Sequence, residues 1–405
     1  MINMENQKPS FGSLDDVKVV YSAVEIAAPT AAEIMAEWGA DVTWIENIWT
    51  GDSVRDTAWV KEMERRNQRS ISMNPFSEEG KEILLGLVKD ADIFIESSKG
   101  PTYQRKGITD ELLWSVNPSL VIVHVSGFGQ WGDADRINAA AYDLTVAAYA
   151  GIVAQNGTPE QPMNISPYSG DYFNSLMIVS SSLAALHKAK ATGKGESIDL
   201  AMYETMLRVG VYYMMDYLNA GIRYPRPGAR HQNLCGIGIY ECADGFIGLC
   251  LYGISQNKYV LETIGLGDLW GTEEYPEDTS ALWLSGPKAE LIEQKLEAYL
   301  KAHNKKDVER DFTEHRIAAQ VVMEFDDILA EDHVKQRDCF IEWENAEGKT
   351  VRGLNTFPKF KNNPGGFWRP MPGLGQDTED VLKRAGFSLD DIERFKNSGM
   401  VKFSE

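Results

Sequence analysis

Residues 17–46, VKVVYSAVEIAAPTAAEIMAEWGADVTWIE, decide the fold of this chain. The stretch begins with a short β-branched run, residues 17–20, and ends with a second apolar run, residues 41–46, and both are typical of strands. Between them, Pro29 stands where a helix can start, good helix formers follow it, and Gly39 ends the helix. Strand, helix and strand in this order predict a parallel βαβ unit.

The same alternation continues beyond this unit. Residues 71–73 are predicted to form a third strand, followed by a helix that starts at Ser77. Residues 93–96 (IFIE) and 120–125 (LVIVHV) are continuous apolar runs, which indicate strands buried on both faces. Together these elements predict an α/β fold with a doubly wound, parallel, Rossmann-like sheet.

Two changes in composition divide the chain. Residues 221–231, GIRYPRPGARH, combine glycines, prolines and arginines and indicate a linker. Acidic helical sequence continues to about residue 334, after which FIEWENAEGKTVRGL (residues 340–354) predicts a hairpin. We therefore predict the N-terminal part of a large domain over residues 1–222, a small domain with linkers over residues 223–334, and a C-terminal segment over residues 335–405 that returns to the large domain.

Composition excludes several classes of protein. Of 405 residues, 40 are Lys or Arg and 60 are Asp or Glu, and the resulting net charge of −20 argues against a nucleic-acid-binding protein. Four cysteines occur without C-x-x-C spacing, so we expect buried reduced thiols and no metal site. Neither a secretory leader nor a membrane-length apolar run is present, which predicts a cytoplasmic protein without a membrane partner.

A cluster of cations follows one of the buried strands. In residues 97–107, SSKGPTYQRKG, Lys99, Arg105 and Lys106 lie where ligands bind in open α/β sheets, at the carboxyl edge. Their side chains could bind phosphate or stack on a base, although a solvated loop is the alternative. The turn after the first strand has no G-x-G-x-x-G, so Glu46 alone gives little support for a dinucleotide site.

A candidate nucleophile stands before a long apolar helix that we predict over residues 175–190. Asp171 lies in residues 163–175, MNISPYSGDYFNS, next to the aromatic residues Tyr168, Tyr172 and Phe173. It could cap the helix, or it could act as a nucleophile that is already ionised at pH 7 and needs no base. No histidine stands beside a nucleophile, and His124 in its buried strand is predicted to be structural.

Several long stretches resemble the class III CoA-transferases, and among them those that act on carnitine. The likeness runs from about Phe11 to Val401 and is carried by residues 25–47, 96–114 (ESSKGPTYQRKGITDELLW), 124–132 (HVSGFGQWG), 168–173 (YSGDYF), 185–204 (ALHKAKATGKGESIDLAMYE), 355–365 (NTFPKFKNNPG) and 370–382. The resemblance implies a large Rossmann-like domain built from both chain ends and a small middle domain. It also implies a ring-shaped subunit in an interlocked homodimer, with residues 357–375 wrapped across the partner.

The resemblance further implies the roles of individual residues. Asp171 would be the catalytic nucleophile, and the thioester oxyanion would be bound by N–H groups of Gly127 and Gly129. Coenzyme A, the co-substrate, would be bound by Lys99, Arg105, Lys106, Ile26, Ala28, Arg66 and Asn67.

By the same resemblance, the enzyme would move CoA reversibly from crotonobetainyl-CoA or γ-butyrobetainyl-CoA to L-carnitine, through aspartyl anhydride and aspartyl-CoA thioester intermediates. A trimethylammonium group favours aromatic faces and a counter-charge. The candidates for these roles are Trp131, Tyr142, Tyr168, Tyr172 and, as counter-charge, Glu204.

Two alternatives remain open. One is a class III transferase for another acid such as a dicarboxylate, and the other is a non-catalytic CoA-binding subunit. The formyl- and oxalate-using relatives carry a longer glycine-rich loop than the CGIGIY of residues 235–240. The racemase relatives use a histidine where this chain has Tyr142, so two-base racemisation is not expected.

Overall fold

The structure is a computed structural model that describes residues 7–57 and 59–403. The chain divides into two compact units. The first comprises Met1–Ile152, Ser166–Val211 and Lys335–Glu405, and the second comprises Val153–Ile165 and Tyr212–Val334. The domain limits after residues 222 and 334 stay predictions from composition.

The strands are numbered β1 to β12 in chain order, and they are Lys18–Ser22, Asp41–Glu46, Gln68–Met73, Ile93–Ser97, Val121–Ser126, Glu196–Ala201, Ile237–Cys242, Gly245–Cys250, Ala318–Val321, Phe340–Glu344, Thr350–Leu354 and Val401–Lys402.

The α-helices are numbered α1 to α18 in the same way, and they are Ala27–Glu37, Val60–Glu64, Glu78–Val88, Thr102–Arg105, Asp110–Val116, Ala134–Ile137, Asp143–Tyr149, Ile152–Gln155, Ser169–Thr192, Met202–Val209, Val211–Ala220, Ile254–Thr263, Ala289–Lys301, Lys305–Glu314, Phe325–Ala330, Asp332–Gln336, Thr378–Arg384 and Leu389–Ser398. Short 3-10 turns occur at Ser53–Asp56 and Gly267–Leu269.

The first unit is organised by a seven-stranded sheet in the order β12-β3-β2-β1-β4-β5-β6. Strands β1 to β6 are all parallel, and β12 joins the edge of β3 in the antiparallel direction. The predicted doubly wound, parallel α/β sheet is therefore confirmed. The strand order reverses between β1 and β4, which is where such sheets bind ligands.

Helices cover both faces of this sheet. On one face, α1 and α9 bury Met35 and Ile178 against strand residues such as Trp44. On the other, α3, α5, α17 and α18 pack residues such as Leu84 and Phe395 against the sheet. This double cover explains why the strands are continuous apolar runs instead of alternating ones.

Strand β3 is the exception, because it is buried but largely polar. The Tyr21 hydroxyl donates to Gln68 Oε1 at 2.5 Å, Arg69 pairs with Asp41, and the Ser70 hydroxyl bonds Glu46. Only its apolar second half, residues 71–73, was predicted as a strand. Paired side chains thus replace apolar packing along the first half of β3.

The segment after β11 runs without regular structure along the first unit. Asn67 Nδ2 donates to Gly366 O at 2.7 Å, Trp38 Nε1 donates to Phe357 O at 3.1 Å, and the Ser70 N–H donates to Asp377 Oδ2 at 2.9 Å. These hydrogen bonds hold the segment against its own chain, and its wrapping across a partner subunit stays a prediction.

The second unit has its own antiparallel sheet, β7-β8-β9, and a core shared with α12, α13 and α14. The predicted hairpin at β10–β11 is confirmed, and β7 and β8 form a second hairpin. Cys235 and Cys242 are buried, as expected, but Cys250 is exposed because its side chain points away from the core. The prediction of four buried thiols is wrong at Cys250 and at half-buried Cys339.

Within residues 7–57 and 59–403, no helix is long and apolar enough to cross a bilayer. Among the same residues, no three His, Cys, Asp or Glu side chains are grouped so that they could hold a metal ion.

Candidate active site

The carboxyl ends of the central strands enclose a cavity of about 320 Å³. Its walls come from the loops after β1, β2, β3 and β4, on both sides of the point where the strand order reverses. The lining residues include Ser22–Val24, Glu46, Trp49, Asn74, Phe76 and Ser98. Trp49 and Phe76 are exposed aromatic faces at this edge, and such faces can stack on a base.

The predicted cations lie beside this cavity. We define residues 98–109 as the cation loop, which begins after β4, contains α4 and ends at the start of α5. Lys99, Arg105 and Lys106 are exposed on it, and Arg105 donates to Asn138 Oδ1 at 2.8 Å. Buried Tyr103, packed on Phe94 and Phe76, anchors the loop to the sheet.

The turn after β1 is held in a strained conformation. Glu25 has a positive φ of 67°, which is unfavourable for a residue other than glycine. Its N–H donates to Asp52 Oδ1 at 3.1 Å, and its carbonyl accepts from Arg65, which forms a buried ion pair with Asp52 at 2.7 Å. Ile26 and Ala28 follow as buried residues at the start of α1. No described side chain caps α1.

The structure does not bring Arg66 and Asn67 to this edge. Both residues precede β3, at the opposite end of the sheet, and both are buried. Arg66 pairs with Glu37, and Asn67 bonds the backbone of the segment after β11 through Gly366. Both residues therefore make structural contacts within the chain, and their contact with the nucleotide stays a prediction.

Asp171 lies in the first turn of α9, but it does not cap that helix. The cap is Asp143 of α7, whose Oδ1 accepts the N–H groups of Gly170 at 2.6 Å and Asp171 at 3.3 Å, while Oδ2 accepts the Tyr168 N–H at 3.2 Å. Among the described residues, the carboxylate of Asp171 has no hydrogen-bond partner. The alternative role of Asp171 as an N-cap is therefore wrong.

The surroundings of Asp171 disfavour its charged form. Burial, together with the carboxylates of Asp143 and Glu25, raises the pKa of Asp171 to about 7. The expectation that this carboxyl is fully ionised at pH 7 is therefore wrong, because the group is largely buried and has two acidic neighbours.

The neighbouring Tyr172 links this site to a second group of buried acids. Its hydroxyl donates to Glu64 Oε1 at 3.0 Å, while its ring remains 39% exposed. Burial raises the pKa of Glu64, although its hydrogen bond from Thr30 opposes this. The face of Tyr172 thus lies beside Asp171 and is backed by a carboxyl group.

The other aromatic candidates do not all lie together. Trp131, 81% exposed, lines a separate cavity of about 300 Å³ with Gly129 and Glu204. In this second cavity Tyr149 packs edge-to-face against Tyr203, whose hydroxyl donates to Glu204 at 3.2 Å. Its lining is aromatic and acidic, as an organic cation requires, but it also contains Arg136, whose guanidinium lies 5.1 Å from the Tyr149 ring centroid.

The remaining candidates belong to the first turns of helices and to a glycine turn. Tyr142 is exposed at the start of α7, and Tyr168 is exposed before α9 with a positive φ of 60°. The Gly129 N–H already donates to Ser126 Oγ at 2.9 Å, and a side chain at Gly127 would collide with Ala141. These glycines therefore shape a tight turn, and Gly129 does not present a free oxyanion donor.

Sequence reasoning missed the two acids that raise the pKa of Asp171 and the two aromatic residues of the first cavity. Trp49 and Phe76 follow β2 and β3 directly, so the rule that carboxyl ends of parallel strands meet at one edge could have found them. Asp143 and Glu25 are distant from Asp171 in sequence, and no local pattern identifies them.

Comparison with known proteins agrees with this geometry. The family model described as CoA-transferase family III matches residues 14–378. A CAIB/BAIF family protein from Brucella suis is 25% identical, with a TM-score of 0.77 over 93% of this chain and 100% of that chain. Rv3272 from M. tuberculosis has the same fold at 22% identity, with a TM-score of 0.79 over 92% of this chain and 100% of that one. The sheet, the position of Asp171 and the family match lead to one conclusion: the chain belongs to CoA-transferase family III.

Proposed function

We propose that this CoA-transferase moves CoA reversibly from crotonobetainyl-CoA or γ-butyrobetainyl-CoA to L-carnitine, with Asp171 as the nucleophile. The observation that carries the proposal is the charge around Asp171. Its charged neighbours are the carboxylates Asp143 and Glu25, and they raise its pKa instead of lowering it. An acid that brings its own positive charge would be attracted to this place.

The chemistry needs a carboxylate and a dry site. Asp171 attacks the thioester carbonyl, the carbon–sulfur bond breaks, and a mixed anhydride and CoA thiolate result. The thiolate attacks the aspartyl carbonyl, which releases the first acid and leaves an aspartyl-CoA thioester. Carnitine carboxylate then displaces CoA as thiolate, forming a second anhydride, and the thiolate attacks the carnitine carbonyl to regenerate Asp171. Water would hydrolyse each intermediate.

Coenzyme A is proposed to bind along the carboxyl edge. Lys99, Arg105 and Lys106 of the cation loop supply positive charge for its phosphates. The buried apolar turn at Ile26 and Ala28 is proposed to let CoA approach the backbone closely. The aromatic faces in the first cavity are the proposed platform for adenine.

For the trimethylammonium group we propose the face of Tyr172. Tyr168 and Tyr142, which are exposed and stand shortly before Asp171 and Asp143 in the sequence, are further candidates. Tyr172 adjoins the nucleophile and is backed by Glu64, which suits a substrate whose cation and carboxylate are joined by a short chain. Trp131 and Glu204, in the second cavity, are the competing position.

The two alternatives are less well supported. A dicarboxylate would place a further negative charge among the acids around Asp171, which Coulomb repulsion opposes. A non-catalytic CoA-binding subunit would leave Asp171 with an ordinary capping role, but Asp143 performs that role.

We further propose that the enzyme is a cytoplasmic homodimer. Tyr172, Phe173, Leu176 and Met177 are exposed along α9, and apolar side chains grouped in this way mark an interaction surface. The cytoplasmic location rests on the sequence alone.

The test is CoA transfer from crotonobetainyl-CoA to carnitine, with succinate and oxalate as alternative acceptors. Asp171→Asn should lose at least about 1,000-fold in activity, because the amide cannot form the anhydride. Asp390→Asn, an exposed position on α18, is the matched control. Retained activity in Asp171→Asn would refute the covalent mechanism, whereas transfer only to succinate or oxalate would refute the substrate and leave the nucleophile intact.

A further inference from the structure

A buried histidine lies directly beneath the cation loop. His124 on β5 is in register with Glu96 on β4, and both side chains are buried. His124 Nδ1 lies 2.7 Å from Glu96 Oε1. The other carboxylate oxygen of Glu96 accepts the Ser98 hydroxyl at 2.6 Å. Through Glu96, the imidazole is therefore connected to the first residue of the loop.

The other ring nitrogen reaches the far end of the same loop. His124 Nε2 lies 2.9 Å from Oδ1 of Asp110, the first residue of α5. Thr109, the last residue of the loop, caps α5 with its hydroxyl at 3.2 Å from the Leu112 N–H. One imidazole thus spans the two points at which the loop enters and leaves the sheet region.

We propose that His124, as an imidazolium that donates to Glu96 and Asp110 together, is a positioning residue that holds both ends of the cation loop and so sets the affinity for CoA. The inference rests on the proposed CoA role of Lys99 and Lys106. It gives a function to a histidine that touches neither substrate nor nucleophile.

The geometry favours the charged form of the ring. Each nitrogen faces a carboxylate oxygen, and a neutral imidazole can donate only one hydrogen bond. Burial lowers the pKa of His124, but the hydrogen bonds to Asp110 and Glu96 outweigh this and raise it to about 9. The same contact with His124 lowers the pKa of Asp110 against the effect of burial.

The other titratable groups around the ring do not replace this pairing. On β6, Asp199 is in register with His124, but its carboxylate accepts the Gln130 N–H at 3.0 Å. On α4, burial and then Glu96 raise the pKa of Tyr103, so it is neutral at pH 7. The charges that face His124 are therefore the carboxylates of Glu96 and Asp110.

We call the contacts of His124 with Glu96 and Asp110 the clamp. The position of the clamp explains how an exposed loop can present ordered cations. A flexible twelve-residue loop would lose conformational entropy each time it bound a phosphate. Because His124 holds both ends of the loop in the free protein, less conformational entropy is lost when the ligand binds. Losing the clamp should therefore weaken CoA binding while leaving the chemistry at Asp171 unchanged.

The experiment measures the Kd for free CoA by calorimetry, and the KM values for crotonobetainyl-CoA and carnitine. His124→Leu/Glu96→Leu removes both buried partners together, so that no unpaired charge remains between β4 and β5. We expect the Kd for CoA and the KM for acyl-CoA to rise about 10-fold or more, with kcat and the carnitine KM within about 2-fold. His124→Gln, which can donate one hydrogen bond, should be intermediate, and His187→Gln on the exposed side of α9 is the control.

A pH series on the unaltered protein provides a second readout that does not depend on any variant folding. Its Kd for CoA should rise between pH 7.5 and 9.5 as His124 loses its proton, whereas the double variant should be flat over this range. A flat wild-type series, or a folded double variant with unchanged Kd, would overturn the clamp. If Lys99→Ala and Lys106→Ala also bind CoA normally, the proposed function of the loop fails instead.

Discussion

The cation loop and the surroundings of Asp171 differ in charge although both belong to the first unit. Lys99 and Lys106 are exposed on the loop that follows the carboxyl end of β4. Asp171 has the opposite surroundings, because the carboxylates of Asp143 and Glu25 lie near it. The loop suits the phosphates of CoA, whereas the surroundings of Asp171 suit an acid substrate that also carries a positive charge. The difference is the basis of the proposal that the second substrate is a betaine.

Reversing the charge of the loop should give the largest effect. Lys99→Glu/Lys106→Glu should raise the KM for acyl-CoA about 100-fold, because two charge-assisted phosphate contacts become repulsive. The carnitine KM should stay within about 2-fold, and steady-state kinetics with each substrate varied will separate the two values. Lys89→Glu, at an exposed position just after α3, is the control. Equal losses for both substrates would contradict the division of the site by charge.

Removing one acid beside the nucleophile should have a smaller effect. Glu25→Gln should lower the pKa of Asp171, so the acidic limb of the kcat/KM profile should move to lower pH. The carnitine KM should rise about 5-fold, which corresponds to the loss of about 1 kcal/mol of attraction for the cation. Glu25→Asp keeps the charge and should behave like the wild type. An unchanged profile in Glu25→Gln would mean that Glu25 does not act on Asp171.

The two aromatic positions can be separated by removing one ring at a time. Tyr172→Leu should raise the carnitine KM about 3- to 10-fold through loss of the cation–π contact, and Tyr172→Phe should retain most of the affinity. Trp131→Leu should leave the carnitine KM unchanged. A neutral acid of the same shape should not distinguish the variants. The reverse result, with Trp131→Leu impaired, would move the cation to the second cavity.

The smallest expected effect is on stability. Because the folded state raises the pKa of Asp171 to about 7, the folded protein retains a proton that the unfolded chain has lost above pH 4, so folding becomes less favourable as the pH rises from 4 to 7. Asp171→Asn removes this penalty and should stabilise the fold by about 1–2 kcal/mol at pH 8, allowing for partial exposure. The gain should shrink at pH 5. Urea denaturation at both pH values will measure it, and a gain that is equal at both would contradict the raised pKa.

The fold was predictable where burial is apolar and less so where it is polar. Strands β4 and β5 follow from continuous apolar runs, which a doubly wound sheet requires on both faces. Strand β3 was only half predicted, because Gln68 and Arg69 look like surface residues until Tyr21 and Asp41 are placed beside them. Partners brought from distant parts of the chain are invisible to any local pattern.

The candidate site shows the same limit. Asp171 and the cations of the loop were predicted because the type and position of each residue suggest a chemical role. Nothing in the sequence distinguishes Arg66 from a surface cation, yet in the fold it forms a buried ion pair with Glu37. Asp143 caps a helix to which it does not belong, so its effect on Asp171 depends on how α7 packs against α9. Chemistry can be inferred from residue type, whereas its tuning depends on tertiary contacts.

The route of the chain through the first unit has a consequence for biosynthesis. The Ser70 N–H bonds Asp377, 307 residues further along, and β12 completes the edge of β3. The whole of Tyr212–Val334 must therefore leave the ribosome before that edge can be covered. Until then β3 is an open strand on which another nascent chain could pair. The second unit has a core built from its own residues, so it can fold during this interval.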